Sequence, residues 1–422
     1  MIATILFVSF LFFMLIRVPI GFSLGLASLV TIFYSGSVSP QYLVQGLVTS
    51  ADSFPLMAIP FYILAGEVMG QGGISKRLFG FAKIFVGNIT GGLAIATVVT
   101  CIFFAAISGS GPATVAAIGG MVIPLMVQQG YDKKFATAII VAAGTIGVII
   151  PPSIPMVIYG VSASASIGDL FLSGIIPGLL VGALLIFYSY FHAKVHKYPK
   201  ENQKLSFKRI IREFVEASWS LAMPVIILGG IYGGIFTPTE AAVVATVYGL
   251  IVGVFVYKEL KIKDLFRVFS NASLTTAIIL IITGTATFFG RILSIENIPE
   301  AVATSITSIS DNPIVLLLLI NLFLLFVGTF MDVIASIIIL TPILIPVAGA
   351  IGVDPVHFGI IMVVNLAIAL ITPPIGGTLF VGVGISRLSI WEVSKAVVPM
   401  FFLMVLALMI VTYLPQINVF LP

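Results

Sequence analysis

Hydrophobic blocks follow one another from end to end of this 422-residue chain, and the polar positions gather between them. Most blocks are long enough to cross a bilayer, which takes about 20 apolar residues as a helix. In the first half they cover 2–16, 19–34, 54–70, 90–129, 134–164 and 168–192. In the second half they cover 217–236, 238–257, 271–291, 312–350, 355–386 and 391–415. Drawn as one helix, 90–129 would run about 60 Å at 1.5 Å per residue, twice the hydrocarbon core. The interruption "SGSGP" at 108–112 offers another solution, in which the stretch enters, turns and returns. The same holds for 312–350. The blocks 134–164 and 355–386 each carry two adjacent prolines in their middle, and proline both removes a backbone donor and clashes with the preceding turn. The pattern predicts an all-α polytopic membrane protein with two re-entrant helical hairpins and two broken helices.

The halves repeat. A shift of 222 residues carries Pro124 onto Pro346, Gly130 and Asp132 onto Gly352 and Asp354, and Pro151-Pro152 onto Pro373-Pro374. Residues 1–192 therefore form one repeat and 217–422 the other, joined by a linker at 193–216. In that linker Leu205, Ile210, Ile211, Phe214 and Val215 are interleaved with Lys and Arg, the pattern of an amphipathic helix on the inner membrane surface. Five crossings and a hairpin per half put the repeats in opposite orientations. Inverted repeats with broken helices characterise secondary transporters, whose sites lie near the midplane.

Composition adds little to the membrane assignment: 59% of residues are hydrophobic, 9% are charged and the mean hydropathy is +1.22. Charge placement says more. The net +4 resides largely in "HAKVHKYPKENQKLSFKRIIREF" and "YKELKIKDLFR", a bias that cytoplasmic loops carry routinely, and nucleic acid is set aside as a partner. The topology places Arg17, Lys76, Arg77, Lys83, Lys133, Lys134, Arg387 and Lys395 inside, together with the 193–216 and 258–267 segments. Of the 20 Lys and Arg residues, Arg291 alone falls near the outer surface, where Asp52, Asp169, Glu296, Glu300 and Asp311 also lie. Both termini are then expected in the periplasm. Arg17 follows the first apolar run rather than preceding it, so a mature N-terminus is expected rather than a cleaved signal peptide. One cysteine, Cys101, excludes an internal disulfide.

Four interruptions carry the chemistry: hairpin tips at 108–114 and 328–336, and breaks at 144–155 ("GTIGVIIPPSIP") and 371–378 ("ITPPIGGT"). A broken helix frees carbonyls that suit a small cation and amides that suit a carboxylate. Glycine permits close backbone approach, and Ser and Thr add oxygen ligands without charge. Asp332, which takes the place of Ser110 in the repeat register, is an acidic side chain at a tip; a buried carboxylate there requires a cation or amide hydrogen bonds. Asp132 and Asp354 each follow a glycine-led turn and start a helix, which reads as capping rather than as a catalytic pair. Glu67 reads as structural or interfacial. Gly21/Gly25, Gly229/Gly233 and Gly230/Gly234 read as small-residue helix packing, and His192/His196 as a solvated face. No nucleophile–base arrangement emerges, and Ser110 opposite Asp332 argues against an aspartyl dyad.

The segments "FPLMAIPFYILAGEVM" (54–69), "GYDKKFATAII…GTIGVIIPPSIPMVIYG" (130–160), "GGIYGGIFTPTEAAVVA" (229–245) and "NLAIALITPPIGGTLFVG" (365–382) resemble the large membrane subunit of tripartite ATP-independent periplasmic (TRAP) transporters over essentially the whole chain. The resemblance implies a sodium-driven, elevator-type importer in a bacterial inner membrane. Its scaffold helices would lie at about 1–70 and 217–291, and its transport parts at about 90–192 and 299–422. It further implies a separate small four-helix membrane subunit, a periplasmic substrate-binding protein, surrounding membrane lipid and an organic acid substrate of the sialic acid or C4-dicarboxylate type. Sodium is the coupling ion, with no other cofactor. Carried onto this chain, sodium ligands would come from Ser108, Gly109, Ser110, Thr145, Ile149, Gly328, Thr329, Asp332 and Thr372. Substrate contacts would come from Gly111, Thr114, Pro151, Ser153, Ser336, Pro373, Gly376 and Thr378. A stand-alone sodium–dicarboxylate symporter of related architecture is the alternative.

Overall fold

The computed structural model describes residues 2–36, 39–200, 206–308, 310 and 312–417, so Leu205 and Asp311 lie outside the described residues. Within them the chain is helical throughout. The first half comprises α1 (Ile2–Leu15), α2 (Ile20–Ser35), α3 (Pro40–Ala51), α4 (Ala58–Gln71), α5 (Ile74–Val86), α6 (Gly92–Ser108), α7 (Gly111–Gln128), α8 (Lys133–Gly144), α9 (Ile154–Ala163) and α10 (Ile167–Val195). The second comprises α11 (Phe207–Tyr232), α12 (Pro238–Ile251), α13 (Ile262–Ile295), α14 (Ile298–Thr307), α15 (Pro313–Gly328), α16 (Val333–Ala350), α17 (Pro355–Ala369), α18 (Gly377–Ser386) and α19 (Ile390–Tyr413). Seven helices among the described residues are individually long and apolar enough to span a membrane.

The 222-residue register fits these boundaries closely. Residues 111–128 of α7 shift onto 333–350, the bounds of α16, and 133 of α8 shifts onto 355, the start of α17. The register also accounts for an element that the hydrophobic pattern alone did not predict. The segments α3 and α4 together map onto the single 34-residue helix α13. In the first repeat that span is bent by 67° between Ser50 and Phe54. The chain leaves helical backbone at Ser53 (φ −128°, ψ 125°), and Pro55 then sits in the first turn of the 3₁₀ segment Phe54–Met57, where its missing N–H costs nothing. Two further helices, α5 and α14, fill stretches the hydrophobic blocks had left unassigned.

The linker differs from expectation as well. Residues 207–216 are not a separate surface helix; they are the first turns of α11, which continues to Tyr232. Its interior holds no glycine before Gly229, and Pro224 is accommodated within the helix. Likewise 262–267, expected in a loop, begin α13. His192 belongs to α10 and is half-buried, its ring stacked 4.0 Å from Phe135 and 4.1 Å from His196, rather than lying on a solvated face.

Packing exchanges partners between repeats. The first-half helix α8 packs on α19 while α17 packs on α10; α7 packs on α18 while α16 packs on α9. Away from these, α4 packs on α12 and α13, and α2 on α13. Tyrosine hydroxyls tie the repeats at helix starts: Tyr62 donates to the Pro238 carbonyl (2.9 Å) and Tyr159 to the Pro355 carbonyl (2.6 Å). The centre of the molecule is formed by α8 and α17, whose residues 135–144 and 356–369 are all buried. Asp132 and Asp354 cap these two helices, accepting from Lys134 N and Phe135 N (2.8 and 3.0 Å) and from Val356 N and His357 N (2.8 and 3.1 Å). That is the capping role the sequence assigned them, worth about 1 kcal/mol each.

Candidate functional site

At the first hairpin tip, α6 ends at Ser108 and Gly109 takes the left-handed conformation (φ 61°) that its lack of a Cβ permits. Ser110 then starts α7 in extended backbone, its hydroxyl accepting from Ala113 N (3.4 Å). Thr114 turns back into the tip. Its Oγ1 donates to the Ser110 carbonyl (2.8 Å) and lies 2.9 Å from Ser108 Oγ. The first break follows α8. A 3₁₀ turn over Thr145–Val148 leads into the Pro151-Pro152 pair, and Ser153 restarts the chain as the N-cap of α9. Ser153 Oγ donates back to the Val148 carbonyl at 2.6 Å, so one hydroxyl closes the broken segment. Tip and break are joined directly, Ile154 N donating to the Gly109 carbonyl at 3.3 Å.

The second pair is built similarly, with different side chains. Asp332 is the N-cap of α16, its Oδ2 accepting from Ile334 N at 2.9 Å. Ile375 N donates to the Thr329 carbonyl (3.2 Å), joining tip to break as in the first half. Thr372 Oγ1 donates to the Ile368 carbonyl (3.0 Å) and Thr378 Oγ1 to the Leu370 carbonyl (2.7 Å). Both Pro-Pro peptide bonds are cis; the first pair is buried and the second exposed.

Glycine brings the two pairs together. A Cβ on Gly111 would lie 3.0 Å from Thr378 Cγ2 and 3.3 Å from the Gly144 carbonyl oxygen. One on Gly147 would lie 2.5 Å from Thr114 Oγ1 and 2.7 Å from the Ser110 carbonyl oxygen. The hairpin backbone thus rests against the first break on one side and the second on the other.

Beside them opens a cavity of about 610 Å³. Both tips line it, through Ser108, Gly109, Ser110 and Pro112 and through Asp332, Val333 and Ile334. Val148 and Ile154 bring in the first break, Leu370 borders the cavity just before the second, and the opposite wall is formed by α4 and α13. Of the residues expected to hold sodium or substrate, Ser108, Gly109, Ser110 and Asp332 line this cavity. The structure places the others behind or beside it. Thr145 is buried and donates to the Ala142 carbonyl (2.7 Å), while the Ile149 carbonyl faces α10 at Gly174. Gly111, Thr114, Pro151 and Ser153 pack within the first tip and break. Gly328 packs on Ala369, Gly376 approaches the Leu370 and Thr372 carbonyls, and Thr329, Thr372, Pro373 and Thr378 surround the second break. Ser336, the register partner of Thr114, is buried with no hydrogen-bond partner for its hydroxyl.

The α4–α13 wall was missed as a lining surface. The sequence reads Glu67 as structural or interfacial and gives Thr275 no distinguishing mark. Their signal is a helical stripe: Ile63, Gly66 and Glu67 on α4, and Thr275, Ile278, Ile279 and Ile282 on α13, all at spacings of three or four. In a membrane helix such spacing marks a packed face as readily as a site, which is why it carried no weight alone.

Paired hairpins and broken spans around one cavity, in an all-helical membrane-spanning chain, define the class as a membrane transporter fold. A solved structure of the Alcanivorax borkumensis YdaH transporter shares this fold, with a TM-score of 0.65, 15% identity and 97% coverage of both chains. The family profile described as "Tripartite ATP-independent periplasmic transporter, DctM component" matches residues 7–417. The chain is 42% identical, over 100% of its length and 98% of the relative's, to the C4-dicarboxylate TRAP transporter large permease protein DctM of Vibrio cholerae. It is 40% identical to the sialic acid TRAP transporter large permease protein SiaM of the same organism, over 96% of its length and 94% of the relative's. It is 51% identical to the isethionate TRAP transporter permease protein DctMQ of Oleidesulfovibrio alaskensis, over 99% of its own length but 66% of that longer relative. The chain belongs to the DctM family of TRAP transporter permeases.

Proposed function

We propose that this protein is a sodium-coupled importer of a small organic acid anion in a bacterial inner membrane. It would act as the large subunit beside a small four-helix membrane subunit and take substrate from a periplasmic binding protein. The observation that carries this reading is a cavity lined by both hairpin tips, Asp332 included, and by the first break, with the second break bonded to the second tip beside it. Free carbonyls and hydroxyls at such interruptions suit sodium, and freed amides suit an anion. Among the described residues lining the cavity there is no Lys, Arg or His, so a bound cation supplies the positive charge the anion needs. The relatives' substrates, a sulfonate, C4-dicarboxylates and sialic acid, are all organic anions. The helices α6–α10 and α15–α19 carry both hairpin tips and both double-proline breaks and face α4 and α13 across the cavity, which supports an elevator in which the former move as a body past the latter.

The test is uptake into proteoliposomes by this chain alone, with the small subunit, and with both the subunit and the binding protein. Isethionate, succinate and sialic acid are the substrates to compare. Uptake is expected with the full set. Robust uptake by the chain alone would favour a stand-alone symporter instead.

A further inference from the structure

Asp332 is not the only acid on the cavity. Across from it, on the α4 wall, stands Glu67. Gln71, one turn further along α4, donates through Nε2 to Glu67 Oε2 at 3.5 Å and accepts through Oε1 from Arg267 Nη2 at 3.1 Å. A side-chain amide donates with its nitrogen and accepts with its oxygen, so Arg267 on one side and a carboxylate on the other fix Gln71 in one orientation. The three residues form a polar line from exposed Arg267 on α13 to the cavity. The lining is otherwise apolar or hydroxyl-bearing apart from Asp332, so its formal charge is negative. On the elevator reading the two acids would also belong to different bodies. Asp332 rides on a hairpin, whereas Glu67 is fixed to the helix that packs on α12 and α13.

We propose that Glu67 is a specificity-determining residue of this cavity: its carboxylate, held on the fixed wall, makes the cavity in this state select for a cation and admit the organic anion only in company with one. The inference rests on the sodium-coupled reading above and adds a charge that belongs to one conformational state. Between charges in a partly desolvated cavity the interaction is several-fold stronger than in bulk water, so a carboxylate lowers the local free energy of sodium and raises that of an unaccompanied anion. Once the hairpins move away from α4, Glu67 no longer acts on the site. It thereby biases only the state in which the tips lie beside Glu67 and Thr275.

The test uses the purified membrane complex and reads its thermal unfolding midpoint. Sodium chloride is titrated against choline chloride, and isethionate and succinate are titrated at low sodium. In Glu67→Gln the half-saturating sodium concentration is expected to rise by about three- to tenfold. The half-saturating anion concentration at low sodium should fall in the same variant. Glu67→Asp, which keeps the charge, should restore both toward wild type. Gln71→Lys, which places a positive charge beside Glu67, should reproduce the amide variant and covers the case in which that variant does not fold. A structural role would move neither ligand or weaken both together; either result overturns the proposal while wild type still responds to sodium. A wild-type protein with no sodium-specific response would instead overturn the sodium-coupled reading, and this inference with it.

Discussion

Replacing Gly147 by alanine is expected to lower uptake by about tenfold or more while leaving the protein inserted in the membrane. The new methyl would lie 2.5 Å from Thr114 Oγ1 and 2.7 Å from the Ser110 carbonyl oxygen, well inside contact distance. Relief requires the first hairpin tip to move away from the 3₁₀ turn at Thr145–Val148, since the obstacle on one side is backbone. Overpacking of this kind costs about 1–3 kcal/mol, and each 1.4 kcal/mol taken from site assembly is about a tenfold loss. The rest of the fold does not depend on the contact. The helices α8 and α9 on either side retain their caps at Asp132 and Ser153. Uptake by reconstituted protein, normalised to inserted protein, decides the matter, and wild-type uptake in Gly147→Ala would show that the close approach is dispensable.

Asp332→Asn carries the second large effect, because it separates two roles of one side chain. Asparagine caps a helix about as well as aspartate, so the bond to Ile334 N at 2.9 Å has a replacement and α16 should start where it does now. What the substitution removes is a unit of charge at the cavity. A carboxylate about 4 Å from a cation contributes about 4 kcal/mol at an effective dielectric constant of 20. A rise of about tenfold in the sodium concentration for half-maximal uptake uses about 1.4 kcal/mol of that, and is therefore a conservative expectation. Asp332→Ala should show the same loss together with lower thermal stability from the missing cap. If Asp332→Asn kept the wild-type sodium dependence, the side chain would be a cap and nothing more.

Much of the architecture was legible because the strongest signals are local and chemically unambiguous. The "SGSGP" and double-proline interruptions marked the first hairpin and both breaks, the 222-residue register carried the tip onto 328–336, and α6, α7, α15 and α16 fall where those signals put them. The aspartates at 132 and 354 were legible as caps for the same reason. Less visible were the elements whose boundaries depend on tertiary packing. The helix α3 carries Gln41, Gln45, Thr49 and Ser50, which diluted its apolar character, and it emerges as half of a span only when set against α13. Similarly, nothing at 207–215 stops the helix, although its charged positions set that stretch apart from the apolar span. The cavity's far wall was hidden for another reason: Glu67 has Phe289 at its register position, so the repeat that exposed both tips is silent about it. Residues that line a space only by facing another element leave no mark at any fixed spacing from the motif they face.

The most direct test of the account is uptake by the reconstituted complex with its binding protein under an imposed sodium gradient. Labelled organic anion should accumulate above equilibrium when external sodium exceeds internal sodium, and accumulation should stop when potassium replaces sodium. Equal accumulation in sodium-free medium would contradict the claim that the converging tips and breaks bind sodium and the anion together.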